Sequence, residues 1–160
     1  MARRLTRDVS LHRLRAVSEE IVDGVVAALP TWVVREVGRI VGAWNAEGGG
    51  AASWEAAASQ AGNEAARRIG AELRTLFALE PSAMTRTPLE VVRTAVREPS
   101  AVIDALGIPP VERDEFDVRS WPDDRYGLTP VTLGDLGDPE LGPLHLAWGM
   151  AKAAVLRVDP

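Results

Sequence analysis

The chain of 160 residues contains no cysteine, one lysine, one tyrosine and two histidines. Without cysteine there can be no disulfide, thiolate zinc site, iron–sulfur cluster or cysteine nucleophile. His12 and His145 alone cannot supply a site built from several imidazoles. No apolar run approaches the roughly 20 residues that a membrane helix requires, so no membrane partner is expected. The first apolar stretch, 21–29, contains Asp23, and no small-residue cleavage pattern follows it. An export signal is therefore not expected, and the cytoplasm is the expected setting. Phosphate loops, dinucleotide fingerprints, the Gly-x-Ser-x-Gly elbow and His-Glu-x-x-His are all missing. Gly48, Gly49 and Gly50 have neither the preceding strand nor the following lysine of a phosphate cradle, and read as a flexible connection.

Charge is distributed unevenly. Residues 1–15 hold five arginines (Arg3, Arg4, Arg7, Arg13, Arg15) against Asp8, a net +4, whereas residues 111–140 carry −6 and the whole chain −5. An acidic protein repels a phosphate backbone on average, so nucleic-acid binding would rest on the N-terminal arginines alone and is disfavoured.

What is abundant is helical periodicity. Leu11, Leu14, Val17, Ile21, Val25 and Leu29 form one stripe at spacings of three and four, which Pro30 is expected to end. A second run places Trp32 or Val33, then Val37, Ile40, Val41 and Trp44 on one face. A third, with Ser53 as its expected N-cap, runs from Trp54 through Ala58, Ala61, Ala65, Ile69 and Leu73 to Phe77. Its small residues, Ala57, Ala58, Ala61 and Ala65, suit close approach of another helix. Thr87-Pro88-Leu89-Glu90 has the pattern of a capping box with proline at the first helical position. The helix it opens is expected to break at Pro99 and, after a short continuation, to stop at Gly107. A closing helix begins near Gly142-Pro143 and carries Leu144, Trp148, Ala151 and Val155 inward.

Between these runs, segment 109–142 holds five of the eleven prolines, nine acidic residues, Trp121 and the sole tyrosine, Tyr126. Its large apolar groups are too many for a solvated tether, so it is expected to fold over the helices. A short helical turn from Thr129-Pro130 to near Gly137 is expected within it. The fold class that follows is all-α: five to six helices in a single compact bundle-like domain, with a long irregular Pro/Asp-rich segment covering it. Residues 1–10 form a basic arm and 11–160 the helical domain.

Three groups of residues could carry chemistry. Trp121, Arg125 and Tyr126 combine the aromatic and guanidinium anchors that interfaces enrich. His145 and Lys152 share one edge of the closing helix, where Asp123 or Asp124 from the preceding segment could complete an acid/base pair. Packing, snorkelling and turn capping are the simpler roles for all four. The run Glu112, Asp114, Glu115 and Asp117 lacks the spacing of a calcium loop and, with Arg113 and Arg119 interleaved, reads as self-neutralising surface. No metal site and no cofactor are expected. The leading expectation is a small soluble protein-interaction module, self-association included. The alternatives are a small-ligand binder or enzyme with its site between 109–142 and the closing helix, and a nucleic-acid binder working through the N-terminal arginines.

Overall fold

A computed structural model describes residues 2–51, 53–128 and 130–158. It is all-α: α1 (Ala2–Ala46), α2 (Glu55–Phe77), α3 (Pro88–Arg93), α4 (Arg97–Ala105), α5 (Glu115–Ser120) and α6 (Leu141–Val158), with no strand among the described residues. Single 3₁₀ turns lie at Pro81–Ala83, Thr94–Val96 and Leu133–Leu136.

Pro30 does not end the first helix. α1 continues through it for 45 residues, so the two expected helices are one. Local propensity sets a cost of about 3 kcal/mol for proline inside a helix. Against it stands a stripe that keeps its phase across the proline: Ile21, Val25 and Leu29 before, Trp32, Val33, Val37 and Val41 after, all buried. Each such side chain gains roughly 1.5–3 kcal/mol from burial, so continuing the helix outweighs the missing N–H. α2 packs along this stripe. At the crossing, a Cβ on Gly62 would sit 2.9 Å from both the Cα and the carbonyl oxygen of Pro30, so only glycine permits the approach. Ala58 and Ala65 are buried beside it, while Ala57 faces outward. Residues 2–10 form the first turns of α1.

Two further helix ends differ from expectation. Ser53 does not cap α2; the Glu55 carboxylate accepts the Trp54 N–H (3.0 Å) and the Ser53 hydroxyl (3.4 Å), and its own backbone N–H, followed by that of Trp54, lowers the Glu55 pKa. Pro99 lies inside α4 as its third residue, where a backbone N–H has no helical acceptor to lose. The break falls earlier, at Thr94–Val96. There the Thr94 carbonyl accepts from Arg68 Nη2 (2.8 Å) of α2. Arg68 also grips Glu98 through Nε (2.5 Å) and Nη2 (3.0 Å), and so ties α2 to the start of α4. The capping box at Thr87 is present, with Thr87 N–H to Glu90 Oε2 at 2.9 Å and Glu90 N–H to Thr87 Oγ1 at 3.3 Å. Gly107 follows α4 at φ 79°, the left-handed stop that its position implied.

The segment after Gly107 lies over the helices in part. Tyr126, Leu128, Leu133 and Leu136 enter the core, whereas Phe116, Val118 and Val131 stay exposed. The turn at Leu133–Leu136 is capped by Thr132 and Asp135 and ends at Gly137 with φ 99°; Thr129, its expected start, lies outside the described residues. α6 buries Leu141, Trp148, Ala151 and Val155, but Leu146 and Met150 on its other side are exposed, so the helix is buried on one face only.

Candidate functional site

The stretch 109–131, called the cover below, is attached to α4 and α1 by a small set of polar contacts. From α4, Asp104 accepts a hydrogen bond from Arg125 Nη2 at 2.7 Å. The Tyr126 hydroxyl lies 2.8 Å from the Ile108 carbonyl and 3.0 Å from Asp104 Oδ1, with one hydrogen to share between them. The Val111 N–H donates to the Arg125 carbonyl (3.0 Å), closing the loop on itself. Arg39 of α1 reaches the Gly127 carbonyl at 3.4 Å. These contacts set the local titration. Arg125 and Tyr126 hold the Asp104 carboxyl below its ordinary value, while Asp104 raises Arg125 in turn. Burial, reinforced by the Asp104 carboxylate, pushes Tyr126 up to about 12.

Trp121 stands above this base, half-buried, between two small cavities. One, of about 350 Å³, is lined by Val111, Pro130 and Val131 with Arg93, Arg113 and Asp117 among its polar walls. The other, of about 280 Å³, lies on the side of Glu90, Thr94 and Pro122. Arg93, Trp121 and Asp124 border both. The Arg93 guanidinium carbon is 5.4 Å from the Trp121 ring centroid, and Phe116 meets the same tryptophan edge-on at 5.9 Å. Arg113 donates to the Trp121 carbonyl at 2.7 Å.

Asp123 and Asp124 belong to this region but are engaged there. Asp123 pairs with Arg97 at 3.0 Å. Asp124, only 5% exposed, accepts the Leu128 N–H at 2.5 Å and so fixes the turn that sends Tyr126 and Leu128 inward. His145 and Lys152 are elsewhere, on α6. Lys152 donates to the Met84 carbonyl at 3.3 Å and lies 5.4 Å from the Trp148 ring, itself 5.9 Å from Phe77. It thus pins α6 to the end of the Pro81–Ala83 turn. His145 is half-buried, and desolvation lowers its pKa, which favours the neutral imidazole. Neither lines the cavities beside Trp121, so the structure does not bring the four candidate acid/base residues together. Trp121, Arg125 and Tyr126 share one segment but have different surroundings: Tyr126 is the buried anchor, Arg125 the clasp on Asp104 and Trp121 the group next to open space.

Arg93 has no counterpart among the residues singled out from the sequence. It reads as an ordinary solvated position on a short helix, and the partner that gives it meaning, Trp121, is 28 residues away. In the acidic run, Asp114 caps α5 by accepting the Asp117 N–H at 2.8 Å. Among the described residues no group of three or more histidine or acidic side chains could hold a metal ion, and no helix is long and apolar enough to cross a membrane. No family model matches the chain, and no curated protein or solved structure shows significant similarity to it.

Proposed function

We propose that this protein works by contact with another protein, through the outer face of the cover. One observation carries the reading. Of the ten large apolar side chains exposed among the described residues, four (Val111, Phe116, Val118 and Val131) fall within residues 111–131. Phe116 is 67% and Val131 74% exposed, on a segment that Tyr126 and Leu128 anchor in the core. Exposed apolar groups beside a half-buried tryptophan and a stacked arginine have the composition of an interface centre. A segment fixed at its base also loses less conformational entropy on binding than a free loop does.

Placing a photo-crosslinking amino acid at Phe116 or at Val131 in the cell of origin tests this. Discrete adducts are expected at both positions and not at Ala27, an exposed residue of α1. An adduct of twice the chain mass identifies self-association, and any other mass a heterologous partner. Absence of adducts at 116 and 131, or equal labelling at 27, overturns the proposal.

A further inference from the structure

The arginines that join the cover and α4 to the rest of the protein each have an acceptor, with one exception. Arg68 has Glu98, Arg97 has Asp123, Arg113 has the Trp121 carbonyl and Arg125 has Asp104. Arg93 has none among the described residues. Its Nε is sealed from solvent without a hydrogen-bond partner, its terminal nitrogens are not sealed, and the guanidinium rests on the Trp121 ring. The carboxylates near it are committed: Glu90 to the Thr87 N–H, Asp123 to Arg97 and Asp124 to the Leu128 N–H. With its terminal nitrogens not sealed and no carboxylate of the described residues against them, the guanidinium can take an anion from outside the chain.

We infer that Arg93, stacked on Trp121, is the recognition point for a single carboxylate carried by the partner, an aspartate or glutamate side chain next to an apolar residue. The inference rests on the contact reading above and names the chemistry of the bound segment. The site's size and surroundings select that class. The 350 Å³ cavity beside Trp121 has room for a carboxylate side chain together with a neighbouring apolar one, and Val111 and Val131 give it an apolar wall. A guanidinium binds a carboxylate through two parallel N–H···O bonds. Glu112 and Asp117 on the same cavity and a surrounding segment of net charge −6 oppose any anion there, and a phosphate group, with its higher charge, is opposed more strongly than a single carboxylate. Arg113, on the same cavity, is already held by the Trp121 carbonyl, which leaves the Arg93 guanidinium for one monoanion.

The probe is an array of N-acetylated peptides, each with one Glu or Asp beside Leu or Val, printed next to its Gln or Asn twin and next to a phosphoserine version. The full chain is applied as wild type, Arg93→Gln and Arg93→Lys, with melting temperatures recorded to confirm that each variant folds. Wild type should prefer acid to amide by about tenfold or more, a difference of about 1.4 kcal/mol. Arg93→Gln should abolish the preference, and Arg93→Lys should keep only part of it. No acid preference in the wild type, a preference that survives Arg93→Gln, or stronger retention of phosphoserine would each overturn the inference. The crosslinks at Phe116 and Val131 are scored independently, so an array without acid preference removes the carboxylate assignment and leaves the contact reading standing.

Discussion

Because Tyr126 is the only tyrosine, the tyrosinate absorbance reports on the base of the cover alone. In the folded protein its hydroxyl is buried beside the Asp104 carboxylate and ionises only at about 12; in the unfolded chain it ionises near 10. A raised folded pKa means that the unfolded state releases its proton first. Stability is therefore fully present below pH 10 and lost as pH rises from 10 towards 12. A shift of two units corresponds to at most about 2.7 kcal/mol. Asp104 and Arg125 are partly open to water, and screening there reduces the effect to on the order of 1–2 kcal/mol. Urea unfolding at pH 9 and at pH 11.5, run in parallel on wild type and Tyr126→Phe, isolates the effect. The phenylalanine variant should be less stable at pH 9 by about 1 kcal/mol, the net worth of one hydrogen bond. It should then lose less stability than wild type on going to the higher pH. The tyrosinate absorbance band should appear in the native protein well above its free-tyrosine midpoint. A midpoint near 10 in the folded protein, or identical alkaline losses in the two proteins, would refute a buried Tyr126 and with it the docked base of the cover.

Two further expectations concern the helices. Arg68→Met leaves the half-buried Glu98 carboxylate without its fork of donors and should destabilise by about 3 kcal/mol, whereas Arg68→Lys, which keeps the charge and loses the fork, should cost roughly half as much; equal, small losses in urea titrations would show the pair to be unimportant. Gly62→Ala forces a methyl against the backbone of Pro30 and should cost about 1–3 kcal/mol, although alanine favours helix; a rise in melting temperature would show that the α1–α2 contact is looser than described.

Legibility in the sequence followed the range of the interaction. The Thr87 capping box and the stop at Gly107 could be read because each involves residues within about four positions, and local hydrogen bonding decides them. Pro30 was misleading for the opposite reason. Its local penalty is real, but the stripe from Ile21 to Val41 and the Gly62 crossing belong to tertiary packing, which a helix-breaking rule does not include. The unbroken phase of that stripe was the available signal. Pro99 shows the same point on a smaller scale, since proline is tolerated in a first turn and the new helix starts at Arg97, ahead of the proline rather than after it. At the site, the aromatic anchors were visible from composition, and the buried role of Tyr126 against the open one of Trp121 was not. That difference depends on Asp104, 22 residues away from Tyr126, and on the Ile108 carbonyl. Scarcity sets His145 and Lys152 apart in the sequence but says nothing about neighbours, and the structure seats Lys152 on a backbone carbonyl and a tryptophan ring. Arg93 could not be picked out at all, because what distinguishes it is the lack of an acceptor in three dimensions.

Hydrogen exchange of individual backbone amides tests the docked cover most directly. The N–H groups of Val111, Asp124 and Leu128 each donate within the segment, to Arg125, Trp121 and Asp124 respectively. They should exchange at least about a hundredfold more slowly than in an unstructured peptide under conditions where the molecule is native. Exchange of all three at the unstructured rate, while Val33 and Ile69 in the core remain protected, would show that 109–131 is a tether and that the surface around Trp121 does not exist as a fixed arrangement.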